Sequence, residues 1–156
     1  MDSGDKILVY GYGNPGRQDD GLGSELIRML DSWLFDNNID QVLTDTNYQL
    51  NIEDAANISN FKMVVFVDAS IEDIEQYTFT SVSPSDAKVE FSMHAVSPSF
   101  VIDLCQKLYQ SSPEAWLLHI KGYEWDFKEE LSENAKKNLE AAFSFLIGYL
   151  ESHLCF

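Results

Sequence analysis

Cysteine is nearly absent from this chain. Only Cys105 and Cys155 occur among 156 residues, with no short spacing between them. That excludes a disulfide framework or a cysteine-based zinc cluster, both of which need closely grouped thiols. Basic residues are scarce as well: ten Lys and Arg stand against twenty-six Asp and Glu, a formal net charge of −16. The long-range field of such a surface repels phosphate backbones and anionic lipid, so neither nucleic acid nor a membrane is an expected partner. No apolar run is long enough to span a bilayer. Met1-Asp2-Ser3-Gly4-Asp5 has neither a basic region nor an apolar signal core, which predicts a cytoplasmic protein. The familiar hydrolase signatures are missing too. There is no G-x-S-x-G elbow, no H-E-x-x-H helix and no Cys–His pair in a recognisable motif, so no serine or cysteine nucleophile and no ordinary zincin is expected.

What is present can build a core. Hydrophobic residues make up 45% of the chain, and no linker, repeat or low-complexity stretch divides it. Residues 1–156 therefore read as a single domain. The chain is organised around one early stretch, Lys6 to Gly23. Lys6-Ile7-Leu8-Val9-Tyr10 is an apolar run that ends in glycines, as a buried strand entering a tight loop does. From Leu22 the period changes: Leu22, Leu26, Leu30 and Trp33 fall on one face of a helix running to about Phe35. The loop between them lies at the carboxyl end of the first strand, where α/β folds place their ligands.

Two readings compete for that loop. Gly11-Tyr12-Gly13-Asn14-Pro15-Gly16 satisfies G-x-G-x-x-G, so Gly11, Gly13 and Gly16 could serve a non-catalytic nucleotide- or metal-binding module. Against this, Pro15 removes a backbone donor, and Asp19 and Asp20 stand where the helix begins. Paired carboxylates at the positive end of a helix repel phosphate and attract a cation.

The remaining periodicities predict alternating strands and helices. Gln41–Asp45 reads as a strand, and Asn51 as the cap of a small helix carrying Ile52, Ala55 and Ile58. Lys62–Ser70 is a continuous apolar run ending in Asp68, the pattern of a central parallel strand buried on both faces. Tyr77–Val82 and Lys88–Ser92 alternate by twos, as edge strands with one wet face do. Ser97 and Pro98 open a helix whose buried face is Val101, Leu104, Cys105 and Leu108. Ala115–Ile120 is the last strand, and Ser132 caps a long final helix. Such alternation predicts a three-layer α/β/α sandwich with a mostly parallel twisted sheet of about five strands.

In a parallel sheet the carboxyl ends share one rim. Asp20 after the first strand, Asp68 at the end of the most buried one and His94 before the capped helix could therefore converge there. Two carboxylates and an imidazole suit a divalent transition ion, zinc or nickel rather than magnesium. Taken singly, each has a plainer role. Asp68 could cap a helix, Asp20 could favour the helix dipole, and His94 could be an ordinary loop histidine.

Ile7-Leu8-Val9-Tyr10-Gly11-Tyr12-Gly13-Asn14-Pro15 with Asp19-Asp20-Gly21-Leu22-Gly23 resembles the opening signature of the hydrogenase maturation endopeptidases. The likeness continues through Tyr48-Gln49-Leu50, Phe66-Val67-Asp68-Ala69, Ser92-Met93-His94-Ala95-Val96-Ser97-Pro98 and a closing region of Gly122, Trp125 and Leu131-Ser132. The resemblance implies a three-layer α/β fold and an endopeptidase that removes the C-terminal extension of a nickel–iron hydrogenase large-subunit precursor. It places the metal-binding and catalytic residues on Asp20, Asp68 and His94, with Asn14 and Asp19 in the surrounding substrate-binding motif. Some members carry glutamate where this chain has Asp20. The resemblance further implies that the nickel arrives with the substrate, that zinc or cadmium can occupy the site in vitro, and that the enzyme acts as a monomer.

Overall fold

The computed structural model describes residues 5–85 and 96–154. Its strands are β1 (Ile7–Tyr12), β2 (Val42–Asn47), β3 (Met63–Ser70), β4 (Tyr77–Ser81) and β5 (Glu114–Lys121). Its α-helices are α1 (Leu22–Asp36), α2 (Asp54–Ile58), α3 (Pro98–Tyr109) and α4 (Glu133–His153). The sheet order is β2-β1-β3-β5-β4. The first three pairings are parallel, and β4 runs antiparallel at the edge against β5. This is the expected mostly parallel α/β sandwich of five strands.

Each face of the sheet has its own core. Ile7, Val9, Val65 and Val67 pack against Leu22, Leu26 and Leu30 of α1 and against Leu139, Leu146 and Leu150 of α4. Leu8, Tyr10, Val64 and Phe66 point the other way, against Ala55 and Ile58 of α2 and Val101, Ile102 and Cys105 of α3. β3 can be apolar without alternation because both of its faces are covered. Each of the Val, Leu, Ile and Phe side chains among them contributes on the order of 1.5–3 kcal/mol through burial. Helix starts follow their capping residues. Ser97 Oγ accepts from the Phe100 amide at 3.1 Å, with Pro98 opening α3. Ser132 Oγ accepts from the Ala135 amide at 3.2 Å.

Two expectations are corrected. Asn51 does not cap α2. Its side chain bonds to Gln49 instead, while the carboxylate of Asp54 reaches back to the Asn51 amide at 2.8 Å, so the helix begins three residues later. The buried face of α3 is also turned. Cys105 Sγ–H donates to the Ala55 carbonyl, which aims Val101, Ile102 and Cys105 at α2 and leaves Leu108 60% exposed. The expected strand Lys88–Ser92 lies outside the described residues.

Tyr10 links the sheet to α2. Its hydroxyl donates to Asp54 Oδ2 at 3.0 Å, and burial together with the Asp54 charge raises its pKa well above the ordinary phenol value. Tyr10→Phe should therefore cost about 2 kcal/mol, the worth of a hydrogen bond to a charged acceptor. Urea denaturation checks this; an unchanged midpoint would show that the bond contributes nothing net.

Candidate active site at the carboxyl rim

The chain leaves β1, goes outward to β2, and returns to β3 on the other side of β1. That reversal opens a crevice outside the carboxyl ends of β1 and β3, the place where open α/β sheets bind ligands. The loop after β1 fills one wall of it. Gly13 has φ +135, and a Cβ there would collide with the Asp20 carbonyl oxygen, so only glycine lets the chain fold back here. The amide of Gly13 donates to Asn47, that of Asn14 to Asp20 Oδ2 and that of Gly16 to Asn14 Oδ1, at 3.0, 2.8 and 2.8 Å.

Those bonds decide between the two readings of the glycine motif. A pyrophosphate needs outward-pointing amides. Here the loop's donors are spent within the protein and Pro15 has none. Gly23, at the start of α1, serves packing: a Cβ on it would meet the carbonyl oxygens of Tyr12 and Val67 at 2.8 Å. The nucleotide reading is not favoured.

Residues Gln18–Gly21 form a single 3-10 turn leading into α1. Asp20 lies on this turn, and its Oδ2 is held by the Asn14 amide; Oδ1 has no hydrogen-bond partner among the described residues. Across the crevice stands Asp68, near the end of β3. Asp20 and Asp68 line the same cleft, together with Tyr12, Gln49, Ser97 and His119. Burial and then the Asp20 charge push the Asp68 carboxyl up to about 7. A desolvated carboxylate facing another of the same sign favours a proton or a cation. Tyr12 has its pKa raised by burial and by Asp68, so its phenol keeps its proton.

The other expected site residues fall differently. Asn14 shapes the loop by its own bonds and is half-buried. Asp19 is fully buried. Its carboxylate accepts from the amides of Tyr123, Glu124 and Ser132 and from Ser132 Oγ, at 2.7–2.9 Å. It thus faces the segment between β5 and α4 rather than the crevice. His94 lies outside the described residues. Among the described residues, no three His, Cys, Asp or Glu side chains are grouped closely enough to hold a metal.

Sequence reasoning missed His119. It pairs in register with Asp68 across β3 and β5, and its Nε2 is 3.9 Å from Asp68 Oδ2. Burial lowers its pKa, and the Glu72 charge opposes that only in part, so the imidazole is neutral at pH 7. The only signal available was its position near the end of an apolar strand. Its alignment with Asp68 required the strand order.

No protein-family model matches the chain. A protein of Methanocaldococcus jannaschii named "Putative hydrogenase maturation protease" is 24% identical over 155 residues, covering 93% of this chain and 96% of its own. The [NiFe] hydrogenase maturation protease HycI from Thermococcus kodakarensis superposes with a TM-score of 0.73 at 23% identity, covering 94% of this chain and 93% of that one. The hydrogenase maturating endopeptidase HybD from Escherichia coli gives a TM-score of 0.68 at 16% identity, with 94% and 93% covered. In sequence along nearly its whole length, and in fold, this chain is similar to the hydrogenase maturation proteases.

Proposed function

We propose that this chain is an endopeptidase that trims the C-terminal extension from a nickel–iron hydrogenase large-subunit precursor, and that it recognises nickel already inserted in that substrate. The observation that carries the reading is the pair Asp20 and Asp68, facing one another across the crevice where the sheet order reverses. Their chemistry fits a divalent cation. Asp68 is desolvated and crowded by a like charge, and a dication beside the two removes the repulsion. His94, two residues before the cleft-lining Val96 in the sequence, is the third residue of the proposed site.

The chain's own groups would do three things. Asp20, fixed through Asn14, and Asp68, fixed on the end of β3, would grip the metal-bearing end of the substrate from opposite sides. Tyr12, with its phenol protonated, would offer a donor at the cleft floor. The partial burial of Asp68 would strengthen each of these attractions. Nickel in the substrate would supply Lewis-acid polarisation of the neighbouring peptide carbonyl.

Mass spectrometry of the precursor after incubation tests this reading. The nickel-loaded form should lose its C-terminal extension and the nickel-free form should stay whole. Equal cleavage of both would overturn the role of nickel, and no cleavage of either would overturn the function. Titration with NAD, FAD or ATP should show no micromolar binding.

A further inference from the structure

We propose that His119 is a further contact to the substrate's metal, an imidazole donor beside Asp68; this rests on the function proposed above. Three observations support it. His119 and Asp68 are Cα partners on adjacent parallel strands, so their side chains leave the sheet on the same face. Both line the cleft, and each keeps 27% of its side chain exposed toward it. Their facing atoms, Nε2 and Oδ2, are 3.9 Å apart.

That distance is informative. It is too long for a direct hydrogen bond. Two donors bound to one ion at about 2.1 Å each stand roughly 3.4 Å apart in tetrahedral geometry and at most about 4.2 Å apart, so a small side-chain rotation, without movement of either strand, lets the pair share an ion. The plain alternative is that His119 merely fills space between Asp68, 3.9 Å away, and Glu72, whose charge reaches it. A space-filling ring lies near the ion without a bond to it, so its nitrogens keep the chemical shifts of an unligated imidazole.

Histidine 15N NMR on the full chain separates the two. The protein has three histidines, His94, His119 and His153. His153 ends the 21-residue helix α4, about 30 Å along that helix from the rim, and serves as an internal control. Diamagnetic cadmium chloride stands in for nickel and is added up to millimolar concentration, with signals assigned by His→Gln variants. The expected result is a large change of the His119 Nε2 chemical shift, with its Nδ1 moving little, at cadmium concentrations that leave His153 unmoved. In Asp68→Asn the same change should need at least about tenfold more cadmium. His119→Gln should keep its thermal midpoint and weaken the cadmium effect on the remaining rim signals by a similar factor. A His119 Nε2 shift that stays fixed while His94 responds, or no response of either at millimolar cadmium, would overturn the proposal. Precursor cleavage by a protein whose His119 ignores the ion would remove this inference and leave the proposed function standing. A His119 response without any precursor cleavage would do the reverse.

Discussion

Asp68→Asn is expected to slow cleavage of the nickel-loaded precursor at least about 100-fold. Outer partners of metal ligands alone are worth about 10–100-fold, and under the proposed function Asp68 touches the metal itself. The fold should survive, because the carboxylate is isosteric with the amide and its one basic neighbour among the described residues, His119 at 3.9 Å, is too far for a hydrogen bond. In the metal-free protein its stability should even rise, in a pH-dependent way. The Asp68 carboxyl is pushed up to about 7, first by burial and then by Asp20, from an ordinary value of 3.8. A raised carboxyl pKa means that the folded state holds the proton more tightly than the unfolded one. Ionisation therefore destabilises the fold progressively as pH rises from about 4 through about 7. The variant lacks this penalty. Its thermal midpoint should match that of the parent at pH 4 and exceed it most at pH 8, by differential scanning fluorimetry. A gap that is widest at acid pH would show that Asp68 is stabilised by a partner instead of strained by a neighbour.

Asp19→Ala should have the largest effect on stability. The carboxylate is fully buried and accepts four hydrogen bonds, three of them from backbone amides that have no other partner among the described residues. Deleting it strands those donors, and the expected cost is about 3–5 kcal/mol. For a domain of this size that lowers the midpoint by roughly 10 °C or more. The sign of the pH dependence is opposite to that of Asp68. Burial alone raises the Asp19 pKa, but the bonds from Ser132, Tyr123 and Glu124 outweigh it and hold the carboxyl below its ordinary value. The stabilisation is then complete above about pH 4 and is lost as pH falls further. Parent and Asp19→Ala proteins should converge in stability under strong acid. A constant gap down to pH 2 would mean that the lost contacts, and not the charge, explain the variant.

These two carboxylates, one on the rim and one in the first loop, show what the sequence could and could not say. The apolar run of β3, the serine caps of α3 and α4 and the 3.6-residue stripe of α1 are local signals, and each led to its element within one or two residues. Asp20 and Asp68 were legible for the same reason: a strand's end is visible in its own pattern. Asp19 and Asp20 are adjacent and chemically identical, yet one is locked inward by a segment more than a hundred residues away and the other faces the cleft. No periodicity distinguishes them. His119 was hidden likewise, since its meaning depends on β5 lying next to β3 in a given register. Leu108 was misplaced because its stripe was right in period but turned by contact with α2, an element too short to read well.

The bracing of Asp19 also sets an order of events. Its partners lie 104 to 113 positions further along the chain, and contacts of such sequence separation form only after the intervening elements have been collected. Ser132 takes part twice, donating to Asp19 and accepting from Ala135 at the start of α4, so the first loop and the last helix are stapled at one atom. On a ribosome, where the chain emerges from its N-terminal end, β1 and β3 can pair while this staple is still missing. The turn bearing Asp20 acquires its support only when α4 arrives, which makes the cleft one of the last parts of the molecule to be finished.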